Sequence, residues 1–187
     1  MPNFLLIDGS YYCFYRYFAI EQWFRLAKKD EKMDDPFQNA LFVEKFRKTF
    51  VDKIGETTKK LKIENPIIMV GKDCPRQKIW RMALFPEYKN NRAKDDGFMG
   101  GPFFKMAYED NLFEKAGAKL RLSHPGLEAD DCIAITVKHI LRKYDDAKIW
   151  IIASDMDYLQ LASDKVKIFN LKYKDITESK NCFKDAE

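Results

Sequence analysis

The chain has 187 residues, 46% hydrophobic and 14% aromatic, enough to bury the core of one globular domain. The longest apolar runs, "IIMV" at 67–70 and "IWIIA" at 149–153, are too short to span a bilayer, and "MPNFLLIDGS" meets Asp8 before a signal-peptide h-region can form, so an intracellular, non-secreted protein away from membranes is expected. The net charge of +4 is mild, and four scattered cysteines without C-x-x-C spacing and only two histidines argue against a disulfide framework, a zinc centre and a Ser-His-Asp hydrolase.

The first element is a short buried strand, "NFLLID", followed by the aromatic stretch "YYCFYRYFAIEQWF" at 11–24. Apolar positions 14, 17, 18 and 24 predict a helix packing its rings onto a sheet, which is favoured over stacking on nucleic-acid bases. From Phe37 to Lys62 apolar residues recur at helical spacing, and "PIIMVG" reads as the next strand. A helix from Pro102 to about Lys115, opened by proline and closed before Gly117, leads to the strand "AKLRL". A helix from Leu127 to about Lys143, the strand "KIWIIA", a helical turn through "DYLQLA" and the strand "VKIFN" complete the pattern. Strands alternating with helices predict an α/β fold with a mostly parallel central sheet flanked by helices.

One composition shift interrupts this order: "EYKNNRAKDDGFMGG", residues 87–101, is polar, charged and ends in paired glycines. It reads either as a solvated loop or as an element covering a site. Basic residues gather between Lys72 and Lys94, whereas acids stand at predicted strand ends. That division suits an anionic ligand on one side and cations held on the other.

The acids follow separate strands: Asp8 after "NFLLI", Asp73 after "PIIMVGK", Glu128, Asp130 and Asp131 after "AKLRL", and Asp155 and Asp157 after "IWIIA". Ligands of open α/β sheets collect at the carboxyl ends of the strands, so these seven side chains converge on one edge. For the "GLEADD" block, acids in a first helical turn also cap backbone amides, and that reading stands beside the metal-binding one. Seven carboxylates without matching cations repel one another, and an oxygen-only donor set suits Mg²⁺ or Mn²⁺.

In this order, "LLIDGS", "FPEYKNNR", "GLEADD" and "IIASDMDYLQL" closely resemble the PIN-like 5′ nuclease superfamily. This includes the 5′-3′ exonuclease domain of bacterial DNA polymerase I, phage 5′ exonucleases and, more distantly, flap endonucleases. The resemblance runs from about residue 4 to 170. It implies that Asp8, Glu128, Asp130, Asp131, Asp155 and Asp157 hold catalytic divalent metals; Asp73 joins them, although phage relatives carry that acid directly after the glycine, where this chain has Lys72. It implies hydrolysis of phosphodiester bonds in DNA by metal-activated water, with Mg²⁺ or Mn²⁺ at two sites. Asp130, Lys89 and Arg92 are then the catalytic residues, Lys89 and Arg92 meeting the scissile or neighbouring phosphate while Tyr88 stacks a base. Arg81 fits the pattern eight residues before that lysine. Arg16 lies one position beyond a phosphate-binding arginine of relatives.

The resemblance further implies a single domain over 1–187 with 87–101 as the gateway or arch for a free 5′ strand. The partner is DNA with a free 5′ end or flap, an RNA/DNA hybrid included, met by a monomeric chain. Relatives continue into a helix-three-turn-helix module that "LKYKDITESKNCFKDAE" does not match, so the expectation is an incomplete second metal site and weak grip on duplex. Two alternatives remain: an inactive nucleic-acid-binding module of the same fold, and a haloacid-dehalogenase-like phosphatase. The latter wants D-x-D at its first strand, whereas Asp8 is followed by Gly9 and Ser10.

Overall fold

A computed structural model describes residues 1–29, 31, 33–89 and 97–177. Its centre is a five-stranded parallel sheet in the order β3-β2-β1-β4-β5. The strands are β1 (Asn3–Asp8), β2 (Ile67–Gly71), β3 (Ala118–Leu122), β4 (Lys148–Ile152) and β5 (Val166–Phe169). Helices α1 (Gly9–Ala27) and α2 (Ala40–Lys60) link β1 to β2; α3 (Trp80–Leu84), α4 (Gly101–Glu109) and α5 (Leu112–Lys115) lie between β2 and β3. Helix α6 (Ala129–Lys143) carries the chain from β3 across to β4, and a 3₁₀ turn, Met156–Leu161, precedes β5. Because the chain winds outward from β1 in both directions, β1 and β4 form the switch point where a crevice opens at the carboxyl edge.

Period-two alternation sorts the strand residues between two buried layers. Leu5 and Ile7 face the side packed by α1, α2, α4 and α5. Phe4 and Leu6 face α6 through Ile133, Val137 and Ile140. The first layer is unusually aromatic: the buried Phe103 ring lies within 4.9–5.5 Å of Phe46, Phe42 and Tyr17. Such tilted pairs add attraction beyond the area they bury.

Two expectations are corrected. The helix predicted over 102–115 is broken after Glu109, because Asn111 takes left-handed φ of 54°, which asparagine tolerates better than most residues. Arg47 of α2 holds Asp110 at 2.5 Å, and the break turns Leu112 and Phe113 into the core. In α1, Tyr17 and Phe24 are buried as expected, but Phe14 and Phe18 are 42% and 47% exposed, with rings stacked at 12°. A 19-residue helix with aromatics on most of its circumference cannot turn all of them to one sheet.

Candidate active site

Four adjacent strands deliver carboxylates to one cleft. Asp8 ends β1 and also N-caps α1, accepting from the Tyr11 N–H at 2.9 Å. Asp73 follows β2, Glu128 and Asp130 flank the start of α6, and Asp155 caps the 3₁₀ turn after β4. Together with Ser10, Tyr11, Phe14, Lys89, Ser154 and Tyr158, these five acids line a 250 Å³ cleft. Asp130 also faces a neighbouring 280 Å³ cleft with Asp131 and Asp157. Thus each of the seven acids singled out in the sequence borders one of two clefts that meet at Asp130.

Glycine at position 71 makes this convergence possible. A side-chain carbon there would lie 2.8 Å from Ile133 Cδ1 and 3.0 Å from the Ala129 carbonyl oxygen, so a bare backbone lets the start of α6 settle against the end of β2. Asp73 Oδ1 can then accept from the Ala129 N–H at 2.7 Å, satisfying one of the free amides of the first turn. Ser10 donates its hydroxyl to the other Asp73 oxygen at 2.5 Å. Within the block itself, Asp131 Oδ2 accepts from the Glu128 N–H at 3.2 Å and Asp130 Oδ1 from the Asp131 N–H at 2.7 Å. Capping and cation binding are therefore not exclusive readings of "GLEADD": Asp130, which accepts from a first-turn amide, still borders both clefts.

The electrostatics of the cluster are divided. Burial pushes the Asp8 carboxyl above its ordinary range; hydrogen bonds from Tyr11 and from the Tyr158 hydroxyl, at 2.9 Å, oppose this, and the charges of Asp73 and Asp130 add to the rise. Burial also raises Asp130, reinforced by Asp131 and Glu128. Asp131 goes the other way: burial opposes ionisation, but Arg81 outweighs it, with help from the Glu128 N–H and Trp80. Glu128, Asp130 and Asp131 offer oxygens within 4.8 Å of one another, a donor set of hard oxygens only.

The basic side wall comes from α3 and the segment after it. Lys89 Nζ donates to Glu128 Oε1 at 2.7 Å, and the Tyr88 hydroxyl to Oε2 at 3.0 Å. Burial disfavours the charged lysine, yet the bond to Glu128 raises its pKa overall. The backbone of Lys89 is left-handed, φ 56°, and Arg76 Nη2 donates to its carbonyl oxygen at 2.9 Å. Arg81 contacts both Asp131 and Glu128.

The family described as 5′-3′ exonuclease, N-terminal resolvase-like domain, matches residues 3–187. The chain belongs to this family. It is 33% identical over 171 residues to the 5′-3′ exonuclease of Buchnera aphidicola subsp. Acyrthosiphon pisum (strain APS), covering 90% of this chain and 51% of that protein. It is 29% identical over 133 residues to the flap endonuclease of Escherichia phage T5, covering 67% of this chain and 43% of that one. The chain thus spans about half the length of these relatives. Among solved structures, the T5 D15 protein co-crystallised with metal ions superposes with a TM-score of 0.58 at 23% identity, over 92% of this chain and 56% of the other. That likeness is one of fold, and the fold is PIN-like.

In this member of the 5′-3′ exonuclease family, the remaining candidate residues fall in different places. Arg16 is 8% exposed on α1, 4.8 Å from the Tyr15 ring and 5.8 Å from the Tyr12 ring, and does not line the acidic cleft. Arg92 and the middle of the 87–101 segment lie outside the described residues. Ser10, Tyr158, Trp80 and Arg76, which no sequence motif marks out as site residues, each donate to a site acid or to Lys89. For Ser10 and Tyr158 a signal existed, since each stands one or two residues from a strand-end aspartate. Trp80 and Arg76 left none, because Trp80 meets Asp131 only when α3 docks on α6, and Arg76 meets the Lys89 carbonyl only when the chain after α3 folds back. Among the described residues, no helix is long and apolar enough to cross a membrane.

Proposed function

We propose that this chain acts as a divalent-metal-dependent 5′ nuclease that hydrolyses phosphodiester bonds in DNA, as a 5′-3′ exonuclease or at a 5′ flap. The observation that carries the reading is the convergence of Asp8, Asp73, Glu128, Asp130 and Asp155 on one cleft with Lys89 at its wall. The names of the Buchnera and phage T5 relatives support it.

The donor chemistry fits Mg²⁺ or Mn²⁺: the ligands are all oxygen, and Asp8 and Asp130 bear raised pKa values that a bound cation would reverse. Asp8, Asp73, Glu128, Asp130 and Asp155 are assigned to a first ion, and Asp130 and Asp157 to a second, incompletely liganded one. Ions held there would supply an activated water and would offset charge on the reacting oxygens. The protein's own groups prepare the site. Tyr158 and the Tyr11 amide orient Asp8, while Ser10 and the Ala129 amide orient Asp73. Lys89 sets a compact cation against the reacting phosphate and Arg92 a bidentate one, and Tyr88 presents a sequence-tolerant ring to a base. The partner is DNA with a free 5′ end or flap, engaged by a monomer with 87–101 as the gateway.

The test is cleavage of 5′-flap, nicked and single-stranded DNA with and without Mg²⁺. Metal-dependent release of product from the 5′ side is expected from the wild type and none from Asp130→Asn. Absence of metal-dependent cleavage on all three substrates overturns the reading.

A further inference from the structure

Arg81 fits a phosphate contact by sequence, but its guanidinium is already engaged within the protein. Nη1 donates to Glu128 Oε2 at 3.1 Å and to Asp131 Oδ2 at 2.8 Å, and Nη2 donates to Asp131 Oδ1 at 2.7 Å. The guanidinium lies between two rings, 4.8 Å from Trp80 and 5.7 Å from Tyr88. Three of its five N–H donors, the end-on fork among them, are thus held by carboxylates of the protein itself, and its charge is offset there. Asp131 is equally occupied: besides both arginine nitrogens, its Oδ2 accepts from Trp80 Nε1 at 3.3 Å and from the Glu128 N–H. Three of these four donors meet Oδ2 and one meets Oδ1, so the carboxylate keeps a single open lone-pair site, on Oδ1.

We propose that Arg81 and Asp131 are positioning residues, an internal ion pair that docks α3 on the start of α6 and sets the charge and orientation of Glu128, rather than a substrate contact and a metal ligand. Two consequences follow from the geometry. The arginine offsets one of three carboxylates gathered within 4.8 Å, which fixes how strongly the remaining two attract a cation. By holding α3, it also determines where Tyr88 and Lys89, just beyond that helix, meet Glu128. The proposal rests on the nuclease reading for its cleavage measurement only.

The experiment is calorimetric titration of Mn²⁺ alone into the metal-free chain, with DNA affinity in Ca²⁺ and single-turnover cleavage in Mg²⁺ measured alongside. Arg81→Met removes the charge and should tighten Mn²⁺ binding by about tenfold, because two acids lose their counter-charge. Arg81→Lys should restore wild-type Mn²⁺ affinity to within about twofold while leaving cleavage slow, since an ammonium keeps the charge but not the fork. Asp131→Asn should weaken Mn²⁺ binding, and the Arg81→Met/Asp131→Asn double variant should return it to near the wild-type value. DNA affinity should change by less than about twofold in each, the mark of residues acting through others. A double variant still weakened about tenfold would make Asp131 a ligand, and a tenfold loss of DNA affinity in Arg81→Met with unchanged Mn²⁺ binding would make Arg81 a substrate contact; either overturns the proposal. If Arg81→Met fails to fold, Arg81→Lys and Asp131→Asn carry the same test. If the chain cleaves no nucleic acid, the nuclease reading fails while the metal titrations still decide this one.

Discussion

Lys89 and Glu128 form an ion pair of 2.7 Å at the wall of the acidic cleft, between a left-handed residue following α3 and the N-cap of α6. On the proposed reading, this sets the lysine's charge where a phosphate would meet the carboxylates. Lys89→Ala should lower single-turnover cleavage at saturating substrate by about 10²- to 10³-fold, because a cation aimed at developing charge acts mainly in the transition state. DNA affinity should fall far less. An affinity change with unaltered cleavage would make Lys89 a simple positioning contact.

Asp130 stands where the two clefts meet, and Asp130→Asn should abolish cleavage while the fold persists, since an amide oxygen can still accept from the Asp131 N–H. Its effect on stability should depend on pH. Because the folded pKa of Asp130 is raised above its ordinary 3.8, the folded chain binds its proton more tightly than the unfolded chain. Asp130 therefore destabilises the metal-free fold fully above its folded pKa, and the penalty disappears as pH falls to the unfolded value. In chelator, Asp130→Asn should melt higher than wild type at pH 7 to 8, and the two curves should approach one another near pH 4. A constant difference across that range would refute the electrostatic cause.

Asp131 should behave oppositely, because Arg81 and the neighbouring donors lower its pKa against the burial that opposes them. Its contribution to stability is present above 3.8 and is lost as pH falls through the lower folded value. Asp131→Asn should accordingly lower the melting temperature of the metal-free protein at neutral pH. A rise like that expected for Asp130→Asn would show the Arg81 pair to be absent in solution.

Gly71→Ala tests the approach of α6 to β2. The added carbon, 2.8 Å from Ile133 Cδ1, must push the start of α6 outward, costing about 1–3 kcal/mol by overpacking. Asp73 would then part from the Ala129 amide. Urea denaturation should show the loss, and Mn²⁺ affinity should fall with it; unchanged values for both would mean that the helix start is not held there.

The aromatic layer offers a contrast between two phenylalanines. Phe103 is fully buried among Phe46, Phe42 and Tyr17, so Phe103→Ala should cost about 3–5 kcal/mol in chemical denaturation. Phe18, 47% exposed, should cost less than about 1.5 kcal/mol when truncated. Equal losses would show that α1 turns a different face to the core.

By itself the sequence determined the order of strands and helices, because short continuous apolar runs such as "NFLLI" and the 3.6-residue pattern of α2 are local properties of the chain. It also determined that acids stand at strand ends, and parallel topology then brings those ends to one edge. What it left open depends on contacts between distant segments. Asn111 breaks the helix after Glu109 where Arg47 and Arg121 reach across to Asp110 and Asn111, and α1 turns Phe14 and Phe18 outward because the sheet has room for only one face of that helix. The partners of the cations were equally hidden. Arg81 stands near Lys89 in the chain, and either could serve a phosphate by residue type. Only the docking of α3 against α6 decided that Arg81 spends its hydrogen bonds on Asp131 and Glu128, because a guanidinium surrounded by acids and rings binds the nearest carboxylate.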